Sequence, residues 1–134
     1  VLTNPTRLTI AVDFDGTIVE HKFPEIGKEV PASTRTLKEL QERGHRIILW
    51  TMRSGSTLQE AIDWCAHRGL YFYSVNQNPN QNSWTQSPKA YAHIYIDDAA
   101  LGCPLTHHKG QRPYVDWLLV RKHLRAIGLI PNDR

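Results

Sequence analysis

Four short apolar runs, at residues 8–12, 45–50, 70–75 and 93–96, constrain this chain more than any other feature. Each has the length of a buried strand, and each is separated from the next by enough sequence to cross back over a sheet. The first, Leu8-Thr9-Ile10-Ala11-Val12, is rich in β-branched residues, and the second contains the continuous run Ile47-Ile48-Leu49-Trp50. Uninterrupted apolar character of this kind belongs to strands covered on both faces. The connections read as helices where the 3.6-residue period is visible. Pro31-Ala32-Ser33-Thr34 opens one that runs to about Arg43, with Leu37 and Leu40 inward and Gly44 at its end. Ser56 is placed to cap a second, whose face of Leu58, Ala61, Ile62 and Cys65 ends at Gly69. A last amphipathic helix is expected over residues 114–127, closed by Gly128 and Pro131, and Pro88-Lys89-Ala90 is expected to start a short helical turn. Residues 20–30 read as a loop or flap, 76–87 as a polar loop and 102–113 as irregular. Strands alternating with helices imply β-α-β units, hence an α/β domain with a parallel sheet covered on both faces.

At 134 residues, with 40% hydrophobic and 22% charged content, residues 1–134 suit one globular domain with its own core. No apolar run approaches the roughly 18 to 20 residues that span a bilayer, so no membrane role is expected. The first residues show no signal-peptide pattern. Two distant cysteines, Cys65 and Cys103, stand in no metal spacing, and a reducing, cytoplasmic setting is expected. A net charge of +3 favours an anionic partner, which a small phosphate ester satisfies as well as nucleic acid does. No run of Lys and Arg interleaved with aromatics points to nucleic acid in particular.

Chemistry gathers where these strands end. Asp13 and Asp15 follow the first strand in Val12-Asp13-Phe14-Asp15-Gly16-Thr17, Thr51 follows the second, Lys89 precedes the fourth, and Asp97-Asp98 follow it. In a parallel α/β sheet ligands collect beyond the carboxyl ends of the strands. Each residue also has an ordinary reading. Asp-Gly is a turn former, Thr suits a strand end, a lone Lys is a surface residue, and an Asp pair caps a helix. Their order on four successive elements favours a site. Adjacent His107 and His108 point to opposite sides of an extended chain and make a poor metal pair. His21 is a weaker candidate than the acids, and Trp84 and Trp117 are expected to pack rather than bind.

In this order the segments Val12-Asp13-Phe14-Asp15-Gly16-Thr17, Leu49-Trp50-Thr51, Ser87-Pro88-Lys89 and Tyr95-Ile96-Asp97-Asp98 resemble the four motifs of the haloacid dehalogenase-like (HAD) phosphohydrolase superfamily. The resemblance implies a three-layer Rossmann-like domain whose sheet is flanked by helices. It also implies a nucleophilic Asp13 that forms an aspartyl-phosphate, already ionised at neutral pH, and Asp15 as general acid and base. Thr51 and Lys89, with main-chain N–H groups near Phe14, Met52 and Arg53, would hold the phosphoryl oxygens. Mg²⁺ would be bound by Asp13, Asp97, the main-chain carbonyl of Asp15 and, through water, Asp98, which would otherwise orient Lys89.

Within the superfamily, an acid at Asp15 followed by Thr17 favours phosphoryl chemistry over dehalogenation. The intervals between motifs, 18–50 and 52–88, leave no room for a sizeable cap domain. Such an open site admits a macromolecular phosphate, on a nucleic-acid end or a phosphoprotein, or is closed by a second copy and acts on a small metabolite. The polar segments around it carry His21, Lys22, Asn78, Gln81, His107, His108 and Arg112. Donors of this kind suit a hydroxyl-rich substrate, so a sugar or polyol phosphate is expected. A phospho-accepting receiver domain carries its acidic pair first and the accepting Asp later, the reverse of the order here. A phosphate-binding module without turnover is disfavoured because no motif residue is missing.

Overall fold

The computed structural model describes residues 7–132. Its centre is a four-stranded parallel sheet in the order β3-β2-β1-β4, formed by β1 (Thr9–Val12), β2 (Arg46–Leu49), β3 (Ser74–Val75) and β4 (Ile94–Ile96). Three helices flank it, α1 (Ser33–Glu42), α2 (Gly55–Ala66) and α3 (Trp117–Ala126), with no sizeable cap, giving the Rossmann-like α/β arrangement that the alternation implies. Among the described residues no helix is long and apolar enough to cross a membrane.

Register explains the packing. Val12 lies opposite Leu49 on one side and Ile96 on the other, so these three side chains share a face with Ile10 and Ile47. Buried residues of all three helices join them: Leu37 and Leu40 of α1, Ala61 and Cys65 of α2, Val120 and Leu124 of α3. Arg121 ties α3 to α1, donating to Thr36 Oγ1 at 2.9 Å and to both Glu39 carboxylate oxygens. The opposite face carries Ala11, Ile48 and Tyr95 and is packed more thinly, by Ala92 and Trp50. Tyr95 Oη donates to Ala90 O at 2.7 Å and accepts from Ala92 N–H, drawing the β3–β4 connection over this face. That connection contains only a 3₁₀ turn, Pro79–Ser83, where the sequence reads as plain loop.

Several expected boundaries are corrected. The strand expected over 70–75 is hydrogen-bonded as a strand only at Ser74–Val75. Pro88-Lys89-Ala90 forms a bend and no helical turn. Helix α2 starts at Gly55, so Ser54 and not Ser56 holds the N-cap position, and Thr57 Oγ1 donates back to Ser54 O at 2.8 Å. Tyr114 and Val115, expected in the last helix, instead form β6, antiparallel to β5 (Leu105–Thr106), within what reads as irregular sequence. The last helix starts three residues later because Asp116 caps it, its Oδ1 accepting from Leu119 N–H at 3.0 Å.

In the order 3-2-1-4 strands are added on one side of β1 up to β3 and then on its other side at β4, so the chain's progress across the sheet switches between β1 and β4, which stay parallel. Crevices form outside the carboxyl ends of strands at such a point. Asp13 and Asp97 are the residues directly after these two strands.

Candidate active site

The acid cluster is fixed by the ladder itself. Asp13 N–H donates to Ile96 O at 3.0 Å, so the backbone that presents Asp13 is bonded to the strand that presents Asp97 and Asp98. One carboxylate oxygen from each of Asp13, Asp97 and Asp98 falls within 4.8 Å of the others. Buried Thr17 stands between them. Its hydroxyl lies 3.2 Å from Asp13 Oδ2 and 3.4 Å from Asp98 Oδ1 and accepts from Asp98 N–H at 3.2 Å, so its single proton serves one carboxylate at a time. Trp117 Nε1 donates to Thr17 O at 2.6 Å and fixes this segment from below.

Burial above all, then the hydrogen bond with Asp98 and the charge of Asp97, push the Asp13 carboxyl up to about 8. Burial chiefly, with Asp98 adding to it, also raises Asp97. Asp13 is thus harder to ionise than the ordinary acidity expected of it. Partly buried acids placed this close make one another harder to ionise.

Asp15 is turned away from the cluster. Both its oxygens accept from Arg53, Oδ2 from Nε at 2.8 Å and Oδ1 from Nη2 at 2.7 Å. The rest of the guanidinium reaches Pro24 O, Glu25 O and Thr57 O, and it lies 5.1 Å from the ring centroids of both Phe14 and Phe23. Arg53 is therefore present at the site, but its buried side chain serves Asp15 and the flap. Its main-chain N–H donates to Thr51 Oγ1 at 3.1 Å. The Thr51 hydroxyl thus accepts inside the loop and keeps its own proton for a ligand. Thr51 N–H donates to Asn76 Oδ1 at 2.8 Å, and Asn76 adopts φ 55° to reach it.

His21 is brought in by the flap. Residues 20–29 return on themselves through Glu20 N–H to Lys28 O at 2.8 Å, and Val19 bridges Glu29. His21 Nε2 then lies 3.0 Å from Asp98 Oδ2. The ring packs so tightly over Gly16 that a Cβ there would lie 2.1 Å from His21 Nε2. Asp98 is engaged by His21 and Thr17, so it does not orient Lys89.

Lys89 does not line the cleft. It is exposed, with its Nζ 5.8 Å from the ring centroid of Tyr95 on the thinly packed face. Exposed Met52 and Arg112, both expected around the site, do line it, as do Trp50, Asn76 and Phe23, of which Asn76 and Phe23 carry no sequence signal apart from their neighbours. Two lobes of about 280 and 360 Å³ make up the cleft. Trp117 is buried, as its expected packing role requires. Trp84 is not, being 65% exposed with an edge contact to Tyr91. His107 and His108 are exposed loop residues.

No protein-family model matches the chain, and no curated protein matches it significantly. Among solved structures it is similar to that of a conserved protein from Bacteroides thetaiotaomicron. The two are 43% identical over 91% of this chain and 93% of that one, with a TM-score of 0.74. Identity at this level, across nearly the whole of both chains, means that the protein belongs to the same family as the conserved Bacteroides thetaiotaomicron protein.

Proposed function

We propose that this protein is a divalent-metal-dependent phosphomonoester hydrolase of the capless HAD-like type, acting through an aspartyl-phosphate on Asp13, with a small sugar or polyol phosphate as substrate. The observation that carries the reading is the convergence of Asp13, Asp97 and Asp98 beyond the adjacent strands β1 and β4, with the Thr51 hydroxyl lining the same cleft. The donor set is all carboxylate oxygen, which suits a hard cation such as Mg²⁺. Asp13 and Asp97 would hold the ion directly, and Asp98, already bonded to His21 and Thr17, would stand behind them. The Asp15 side chain has no part in this set. A cation held there would offset the charge of Asp13 and of the approaching phosphate, so that the Asp13 proton is released to solvent before attack.

The residues then divide the work. An Asp13 oxygen attacks phosphorus, and the bond from phosphorus to the ester oxygen breaks. The leaving oxygen takes a proton from Asp15. Water then attacks the aspartyl-phosphate, giving a proton to Asp15 and releasing phosphate. Because Arg53 holds both Asp15 oxygens, each transfer requires one of those bonds to open. Thr51 directs its hydroxyl proton to a phosphoryl oxygen. Lys89 has no role in this arrangement.

Phosphate release from a panel of sugar, polyol, nucleotide and phosphopeptide monoesters, with Mg²⁺ and with EDTA, tests the reading. The expected result is release from the small polar esters that stops in EDTA and in Asp13→Asn, with folding of the variant intact. Release from phosphopeptides or nucleic-acid ends alone replaces the substrate assignment by a macromolecular one. Full activity of Asp13→Asn overturns the mechanism.

A further inference from the structure

The cleft divides at Asp13. Asp13, Thr51, Met52 and Asp97 line both lobes, so a phosphoryl group that meets Asp13 belongs at the junction. Asp15 lines only the larger lobe, together with His21, Phe23 and Arg112. The smaller lobe adds Trp50 and Asn76, neither of which can give or take a proton at the reacting oxygen. A general acid has to stand within hydrogen-bond reach of the oxygen it protonates. The leaving group therefore occupies the larger lobe, beyond the junction and against Arg112.

Two guanidinium groups border that lobe, and they differ in commitment. Arg53 is buried and spends its donors on Asp15 and on the carbonyls of Pro24, Glu25 and Thr57. Arg112 is exposed and has no hydrogen-bond or ionic partner among the described residues. Lys89 lines neither lobe. Arg112 is thus the uncommitted fork of N–H donors in the lobe, set off the junction, where the Asp13 attack takes place. Such a fork fits a carboxylate or a phosphate bidentately.

Resting on the hydrolase reading above, we propose that the substrate is a phosphomonoester whose leaving group carries a second anion, a carboxylate or a further phosphate, held by Arg112. The prediction is a selectivity ratio. It is measured as kcat/KM for 3-phosphoglycerate and for glycerol 1,3-bisphosphate, each against glycerol 3-phosphate. At least one of the two is expected to be preferred by about tenfold or more, the value of a charge-assisted hydrogen bond. Arg112→Gln is expected to bring that preference to within about twofold, and Arg112→Lys, which keeps the charge but not the fork, to an intermediate value. A ratio near one in the unsubstituted protein overturns the proposal. So does a ratio that survives Arg112→Gln while all esters slow equally, which would place Arg112 on the transferring phosphoryl group. If no ester is hydrolysed, the hydrolase reading fails by itself. The same ratio read calorimetrically from dissociation constants then decides on Arg112, supporting it if Arg112→Gln abolishes the preference and overturning it if there is none to abolish.

Discussion

Arg53 grips Asp15 with two parallel hydrogen bonds, 2.8 Å from Nε to Oδ2 and 2.7 Å from Nη2 to Oδ1, across 38 residues of sequence. The same guanidinium holds the flap by the carbonyls of Pro24 and Glu25, so the proposed proton carrier and the loop beside it share one anchor. Arg53→Met is expected to destabilise the fold by roughly 3 kcal/mol, the low end for breaking a buried pair because Asp15 keeps some contact with water. Arg53→Lys retains the charge but not the fork, and is expected to lower kcat by about tenfold or more with a smaller loss of stability. Urea unfolding and steady-state kinetics on the two variants check both statements.

Stability of the metal-free protein is expected to depend on pH with a definite sign. Asp13 moves from an ordinary 3.8 to about 8 on folding, and Asp97 shifts in the same direction. Between those values the folded chain holds a proton that the unfolded chain has released. Stability therefore falls as pH rises from about 4 to about 8. Thermal melts in EDTA across this range should show the fall, and added Mg²⁺ should stabilise more at pH 8 than at pH 5, because its competitor for the cluster is the proton. A flat EDTA profile would count against the raised Asp13 value.

Gly16 is required by its neighbours and by its own backbone. It adopts φ +80°, and an added Cβ would meet the His21 ring at 2.1 Å and Asp98 Oδ2 at 2.7 Å. Gly16→Ala is expected to cost about 1 to 3 kcal/mol from the left-handed backbone alone. It should also push His21 off Asp98 and so reduce Mg²⁺ affinity. Metal titration followed by calorimetry distinguishes this from a purely structural loss, which would leave affinity unchanged in the folded fraction.

Trp117→Phe removes the 2.6 Å hydrogen bond to Thr17 O while keeping most of the buried ring. An unsatisfied buried carbonyl costs about 1 to 3 kcal/mol. The variant is expected to melt lower by an amount in that range, and to lose turnover through Thr17, whose hydroxyl lies between Asp13 and Asp98.

What was legible in the sequence follows from range. The first strand and the second announce themselves because burial on two faces demands continuous apolar residues, the fourth shows itself as a short apolar run although Tyr95 is exposed, and the acids directly after the first and the fourth inherit their positions from the ladder. The two-residue strands Leu105–Thr106 and Tyr114–Val115 carry no such signal, since pairing of so few residues imposes no periodicity. Side-chain partners were less accessible still. His21 meets Asp98 from 77 residues away, and nothing local separates it from a loop histidine. Lys89 shows the converse case, where a suitable residue at a suitable place in the order lies over Tyr95 and off the cleft.

The bond from Asp13 N–H to Ile96 O sets Asp13 against the sheet, while the flap holds Asp98 through His21. The cluster therefore rests on two supports of different kinds. A change in the flap reaches Asp98 through His21 and Asp15 through Arg53, whereas Asp13 keeps its place as long as the two strands stay paired.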